Sequence, residues 1–102
     1  MYKIVLTEKA NADLSEITTY IAQHLGNPPA AIALLDEIET CYGVLETTPE
    51  LFERCRDNRL RRQGYRKAVI KHYIMIYRVD TEKKCVCIMR FFYGARDYEK
   101  LI

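Results

Sequence analysis

Between Phe52 and Arg78 the chain carries nine cationic side chains, Arg54, Arg56, Arg59, Arg61, Arg62, Arg66, Lys67, Lys71 and Arg78, against two acidic ones, Glu53 and Asp57. Concentrated charge of one sign suits recognition of an anion, because the summed field draws an acidic partner in. The stretch predicts a basic target-binding surface with Arg59, Arg61, Arg62, Arg66 and Lys71 as its members. The competing reading is a solvated loop and strand edge. The formal net charge of +2 conceals the cluster, since residues 1–51 hold two basic residues and eight acidic ones. A second stretch of interest closes the chain. In RFFYGARDYEKLI an apolar run ends at Tyr93 and is broken by Gly94, and Arg96 and Asp97 follow with five residues left. Gly94 permits a sharp turn. This predicts Tyr93 and Arg96 at the rim of a sheet with little chain to cover them, and Asp97 holding Arg96. His72 falls at an expected hairpin and reads as a solvated turn residue.

Length and composition narrow the class. A chain of 102 residues supports one core, which predicts a single domain over 1–102. No run approaches the roughly 20 apolar residues of a membrane span, and the N-terminus MYKIVLTEKA lacks the layout of a secretion signal. A cytoplasmic protein with no membrane partner is expected. The four cysteines, Cys41, Cys55, Cys85 and Cys87, then read as reduced thiols that pack as small hydrophobes. Cys85 and Cys87 stand two apart in a strand-like run, on one face, with little room for a bridge between them. A lone C-x-C falls short of a metal site, so neither metal nor other cofactor is expected.

The elements that must carry these residues are read from periodicity. YKIVL (2–6) suits a strand, and Thr7 an N-cap. Ala10, Leu14, Ile17, Ile21 and Leu25 lie on one face of a helix. Gly26 and Asn27 stop it. Pro28 and Pro29 suit the first turn of a second helix, whose inner face is Ala31, Leu35, Ile38, Tyr42 and Leu45. Residues 50–63 read as a charged loop with at most a turn of helix. Three strands follow, GYRKAVI (64–70), YIMIYRV (73–79) and CVCIMRFFY (85–93), the last apolar on both faces and so central. The expected class is α+β: an N-terminal strand, an antiparallel helical hairpin packed on one face of a small antiparallel β-sheet in the order β-α-α-β-β-β, and a short C-terminal tail. Strict alternation groups Ile74, Ile76 and Arg78 on one strand, and Val86, Ile88, Arg90 and Phe92 on the next. The expectation is that Ile74, Ile76, Val86 and Ile88 share an open face for a partner, with Ile76→Asp harmless to stability. The alternative is that the helices cover this same face.

The string GYRKAVIKHYIMIYRVD, then a strand, then YGARDYEKLI resembles the RelE/ParE family of bacterial type II toxin–antitoxin toxins over nearly the whole chain. The most specific parts are Y-x-x-x-Y-R-V-D (Tyr73 to Asp80) and G-A-R-D (Gly94 to Asp97). The resemblance implies a growth-inhibiting, plasmid-stabilising toxin, held inactive by a cognate antitoxin in a higher-order complex. It implies one of two targets. ParE-like members poison DNA gyrase. RelE-like members enter the ribosomal A site and cleave mRNA by attack of a 2′-hydroxyl on the adjacent phosphate. That attack needs in-line positioning, proton transfer and charge stabilisation, for which the arginine fork is suited. For a RelE-like chain the resemblance implies Arg96, Arg78, Lys67 and Tyr93 as the catalytic set. Two positions depart from the RelE-like pattern: Ile74 stands where it has an arginine, and Ile102 where it has a tyrosine. The first departure is ParE-like. The reading therefore leans to a gyrase-directed toxin, with a ribosome-dependent endoribonuclease, or an inactive member that only binds its antitoxin, as alternatives.

Overall fold

The computed structural model of the protein describes residues 1–94 and 97–102. In chain order the elements are β1 (Lys3–Leu6), α1 (Glu8–Thr19), which runs into a π-helical turn at Tyr20–His24, α2 (Pro28–Thr47), α3 (Asn58–Arg62), β2 (Arg66–Ile70), β3 (Tyr73–Asp80), β4 (Cys85–Tyr93) and a 3-10 turn at Tyr98–Leu101. The strands form one sheet in the order β1-β4-β3-β2. As expected, the helical hairpin packs on one face and β4 is central. β2, β3 and β4 are antiparallel, and β1 adds to β4 as a parallel edge strand, with Lys3 opposite Cys85 and Leu6 opposite Ile88. The sheet is thus mixed. Parallel pairing is available to β1 because a long helical crossover separates it from β4.

Thr7 sets the direction of α1. Its hydroxyl accepts from the Ala10 N–H at 3.0 Å and donates to the Met89 carbonyl at 2.9 Å, so one side chain caps the helix and ties its start to β4. Asn27 caps α2 in the same way, accepting from the Ala30 N–H, with Pro28 and Pro29 opening the helix. The main core lies between the helices and the sheet. It holds Ala10, Ile21, Ala31, Leu34, Ile38, Cys41 and Leu45 against Ala68, Ile70, Met75, Tyr77, Val86, Ile88 and Phe91. Burying each large aliphatic among them contributes about 1.5–3 kcal/mol. Leu34 and Cys41 take the inner positions expected for Leu35 and Tyr42. Leu35 is exposed, and Tyr42 is half-buried with its hydroxyl enclosed.

Two inserted residues displace the expected faces. The π turn closes with the Leu25 N–H on the Tyr20 carbonyl, one residue wider than an α-helical bond. Ile21 stays buried, but Leu25 is carried out of the core and is 59% exposed. In β4 the register shifts between Ile76, opposite Arg90, and Tyr77, opposite Ile88, so Met89 is a bulge without a partner on β3. Val86 and Ile88 therefore face the helices while Ile74 and Ile76 face away.

Nor is the reverse face open, as alternation suggested. Cys55, Leu60, Tyr65 and Tyr98 close over Ile74, Ile76 and Phe92 to make a second, smaller core. Leu60 is brought there by α3, whose N-cap Asp57 accepts from the Leu60 N–H at 3.0 Å. Tyr98 is brought by the C-terminal turn and stacks on Phe92 at 6.1 Å. The expected shared face of Ile74, Ile76, Val86 and Ile88 is therefore split between two cores, and Ile76 is wholly buried.

Candidate functional site

The basic stretch divides between the two sides of the sheet. Arg66 turns to the loop after α2, where it donates to the Phe52 carbonyl at 2.7 Å and pairs with Glu50. Lys71 pairs with Glu37 of α2 at 3.4 Å. Arg59, Arg61 and Arg62 stand outward on α3, and Arg59 donates to the Glu99 carbonyl at 2.7 Å. Lys67 lies over the Tyr98 ring at 5.9 Å and Arg78 over the Tyr65 ring at 5.0 Å. Both rings belong to the second core, so Arg59, Lys67 and Arg78 frame it with positive charge.

The residues expected to act together in RNA cleavage are only partly assembled. Lys67, His72 and Tyr93 line one shallow hollow beside the β2–β3 turn, with Val69, Lys71, Ile74 and Gly94. Arg78 lies two residues along β3 from Ile76, the partner of Lys67, so the two cations are diagonal neighbours on one face. It lines a different hollow, with Asp80, Cys87 and Met89. The expectation for Arg96 lies outside the described residues. Gly94 has a steric role here. Its N–H donates to the His72 carbonyl at 2.8 Å, and a Cβ would stand 3.0 Å from that same oxygen. The chain after β4 is thereby pinned to the hairpin turn, where Lys71 takes a left-handed φ of 54°.

A groove that sequence pattern does not reveal lies on the helix side, between α1 with its π turn and the far ends of β3 and β4. It encloses about 590 Å³ and is lined chiefly by Ile17, Tyr20, Leu25, Tyr73, Phe91 and Tyr93. The Tyr73 and Tyr93 rings meet edge to face at 5.8 Å. Tyr20 stacks on His24 at 5.4 Å and is half exposed. Burial pushes the Tyr73 phenol above its ordinary pKa, so it stays a neutral donor. One wall is fixed by Asp13 of α1. Its carboxylate accepts from the Arg90 guanidinium at 2.7 and 3.0 Å and from the Phe91 N–H at 3.0 Å. This bidentate pair fills the β4 edge just where β1 stops. The Asp13 bond raises the Arg90 pKa further. The half-exposed Tyr20 and Tyr93 beside Ile17 and Leu25, with the charged Asp13, Glu16 and Arg90 also lining the groove, suit capture of an amphipathic peptide segment. No local signal could have grouped Tyr20, Leu25, Tyr73 and Tyr93, because they meet only through the π turn and the β3–β4 register.

Burial raises the thiol pKa of Cys41, Cys55 and Cys87, so these thiols favour the protonated, packing form. Among the described residues no group of three or more His, Cys, Asp or Glu is placed to hold a metal ion, and no helix is long and apolar enough to cross a membrane.

The family model for the ParE toxin of type II toxin–antitoxin systems, parDE, matches residues 4–98. Two solved structures share the fold. One, described as the chromosomal ParDE toxin–antitoxin system from P. aeruginosa, has a TM-score of 0.70 at 22% identity and covers 91% of this chain and 96% of its own. The other, the toxin–antitoxin complex RelBE2 from Mycobacterium tuberculosis, has a TM-score of 0.63 at 24% identity and covers 90% of this chain and 96% of its own. No curated protein matches. A pair of helices on a small mixed sheet is the fold shared with these two structures. The chain belongs to the ParE toxin family of type II toxin–antitoxin systems.

Proposed function

We propose that this toxin disables DNA gyrase and is silenced by a cognate antitoxin seated in the tyrosine-lined groove. The observation that carries the reading is Ile74, which is 5% exposed and packed in the second core. Where the RelE-like pattern needs a guanidinium to stabilise a phosphorane, this chain has an aliphatic side chain. ParE family membership points the same way. The antitoxin partner is supported by the two toxin–antitoxin systems that share the fold. The groove supplies the exposed apolar and aromatic surface on which such a segment can bury itself. On this reading the toxin works in the cytoplasm, beside gyrase.

One observation favours the second reading, a ribosome-dependent endoribonuclease: Lys67, His72 and Tyr93 share a hollow. In that case Arg96, together with Arg78 diagonal to Lys67 on the same face, is left to bind the phosphate.

The test is gyrase-driven supercoiling of relaxed plasmid with purified toxin. Inhibition that the antitoxin relieves is expected, and full supercoiling at saturating toxin would end the gyrase reading. For the groove, Tyr20→Ala and Tyr93→Ala should each weaken antitoxin binding about tenfold or more, the usual effect of removing an interfacial tyrosine anchor. Unchanged binding in both variants would place the antitoxin elsewhere.

A further inference from the structure

Arg54, Arg56, Arg59, Arg61 and Arg62 are all exposed within nine consecutive residues. The fold accounts for their display. Leu60 and Tyr65 are drawn into the second core, so the arginines between and around them are turned outward. The one acidic residue within these nine, Asp57, has its carboxylate committed to the α3 N-cap. Arg59 is fixed on the Glu99 carbonyl. Arg54, Arg56, Arg61 and Arg62 donate no side-chain hydrogen bond and form no ion pair with the described residues. Lys67 and Arg78, held over Tyr98 and Tyr65, extend the positive surface across the reverse face.

Partners for such a surface separate by what else they need. An amphipathic or folded acidic polypeptide needs apolar anchors. Between Arg54 and Lys67 no large hydrophobic side chain is exposed, the nearest being Leu51 and Val69. Single-stranded nucleic acid needs aromatic faces for its bases, yet Tyr65 and Tyr98 are 8% and 7% exposed. What remains is an array of planar guanidinium groups, each able to grip two phosphate oxygens. Phosphates are densest on a double helix, about one charge per 1.7 Å of axis.

We propose that the α3 arginine surface binds the phosphate backbone of duplex DNA without reading its sequence. Phosphate contacts position a protein and carry no base information. The inference goes beyond the gyrase reading and does not depend on it, because the surface lies across the sheet from the groove and needs no second protein.

The experiment is fluorescence anisotropy of the full chain with a labelled short DNA duplex, without gyrase, between about 50 and 200 mM salt. Log affinity should fall linearly with log salt at about −0.9 per phosphate neutralised. The triple variant R56Q/R61Q/R62Q should lower affinity at least tenfold and make the slope shallower by about one per arginine removed. It should unfold at the wild-type temperature, because these side chains are exposed. Duplexes of unrelated sequence should bind alike. The proposal is overturned if the wild type does not bind at the lowest salt, or if the folded triple variant keeps the wild-type slope. It is also overturned if a single strand or an RNA hairpin binds tighter than duplex DNA, or if polyglutamate of equal charge displaces the duplex as readily as unlabelled DNA does. DNA binding with gyrase left active would keep this proposal and end the gyrase reading, and the converse result would do the reverse.

Discussion

Tyr42, Tyr77 and Tyr98 show how one residue type serves different ends in a small core. The Tyr77 hydroxyl donates to the Pro49 carbonyl at 3.2 Å, and its ring meets Phe52 edge to face. The Tyr42 hydroxyl is buried with no partner among the described residues. An unsatisfied buried hydroxyl costs about 1–3 kcal/mol, so Tyr42→Phe should raise stability, by roughly 1 kcal/mol, as read from chemical unfolding. A loss of stability would mean that the hydroxyl has a partner. Burial also pushes the phenols of Tyr77 and Tyr98 up to about 12. A phenol that ionises later folded than unfolded favours the folded state below the unfolded value near 10. As pH rises the unfolded chain gives up its proton first, so stability falls between pH about 10 and about 12. Thermal midpoints measured across that window should drop steadily, and the double change Tyr77→Phe, Tyr98→Phe should flatten the drop. An unaltered slope would assign alkaline unfolding to other groups.

The elements themselves were legible in the sequence because their causes are local. Thr7 and Asn27 announce helix starts, Pro28 and Pro29 a first turn, and alternation the last three strands. Phase was not legible. The π turn after Thr19 and the bulge at Met89 each insert one residue, and one residue is enough to carry Leu25 out of the core and to put Ile74 and Val86 on opposite faces. Both insertions are set by tertiary packing: α1 is moored to β4 through Thr7 and Asp13, and β4 must match β1 on one side and β3 on the other. The covering of the reverse face was hidden for a similar reason. Cys55, Leu60, Tyr65 and Tyr98 are scattered apolar residues in charged stretches, with no period to betray that they converge. The test belongs to this scale. Ile76→Asp buries a carboxylate in the second core, where its cross-strand neighbours Lys67 and Arg90 are already engaged, Lys67 over the Tyr98 ring and Arg90 with Asp13. It should destabilise the fold by several kcal/mol, roughly 3–5, where a variant of near wild-type stability would show the reverse face to be open.

At the scale of the whole molecule, the sheet separates two surfaces. The groove of Tyr20, Tyr73 and Tyr93 lies on the helix side, and the arginines of α3 lie with the second core on the other. On the proposed function an antitoxin segment can occupy the first while the second stays exposed, so silencing would act by blocking the toxin's approach to gyrase rather than by neutralising its charge. The choice of target turns on one buried side chain, Ile74, and on whether the hollow of Lys67, His72 and Tyr93 performs chemistry without an arginine at that position. The most direct measurement is a paired assay of one toxin preparation, on gyrase supercoiling and on messenger RNA in a translating extract, with breaks mapped by primer extension. The account predicts loss of supercoiling, restored by antitoxin, and intact messages. Codon-linked breaks in the message with supercoiling unaffected would contradict it.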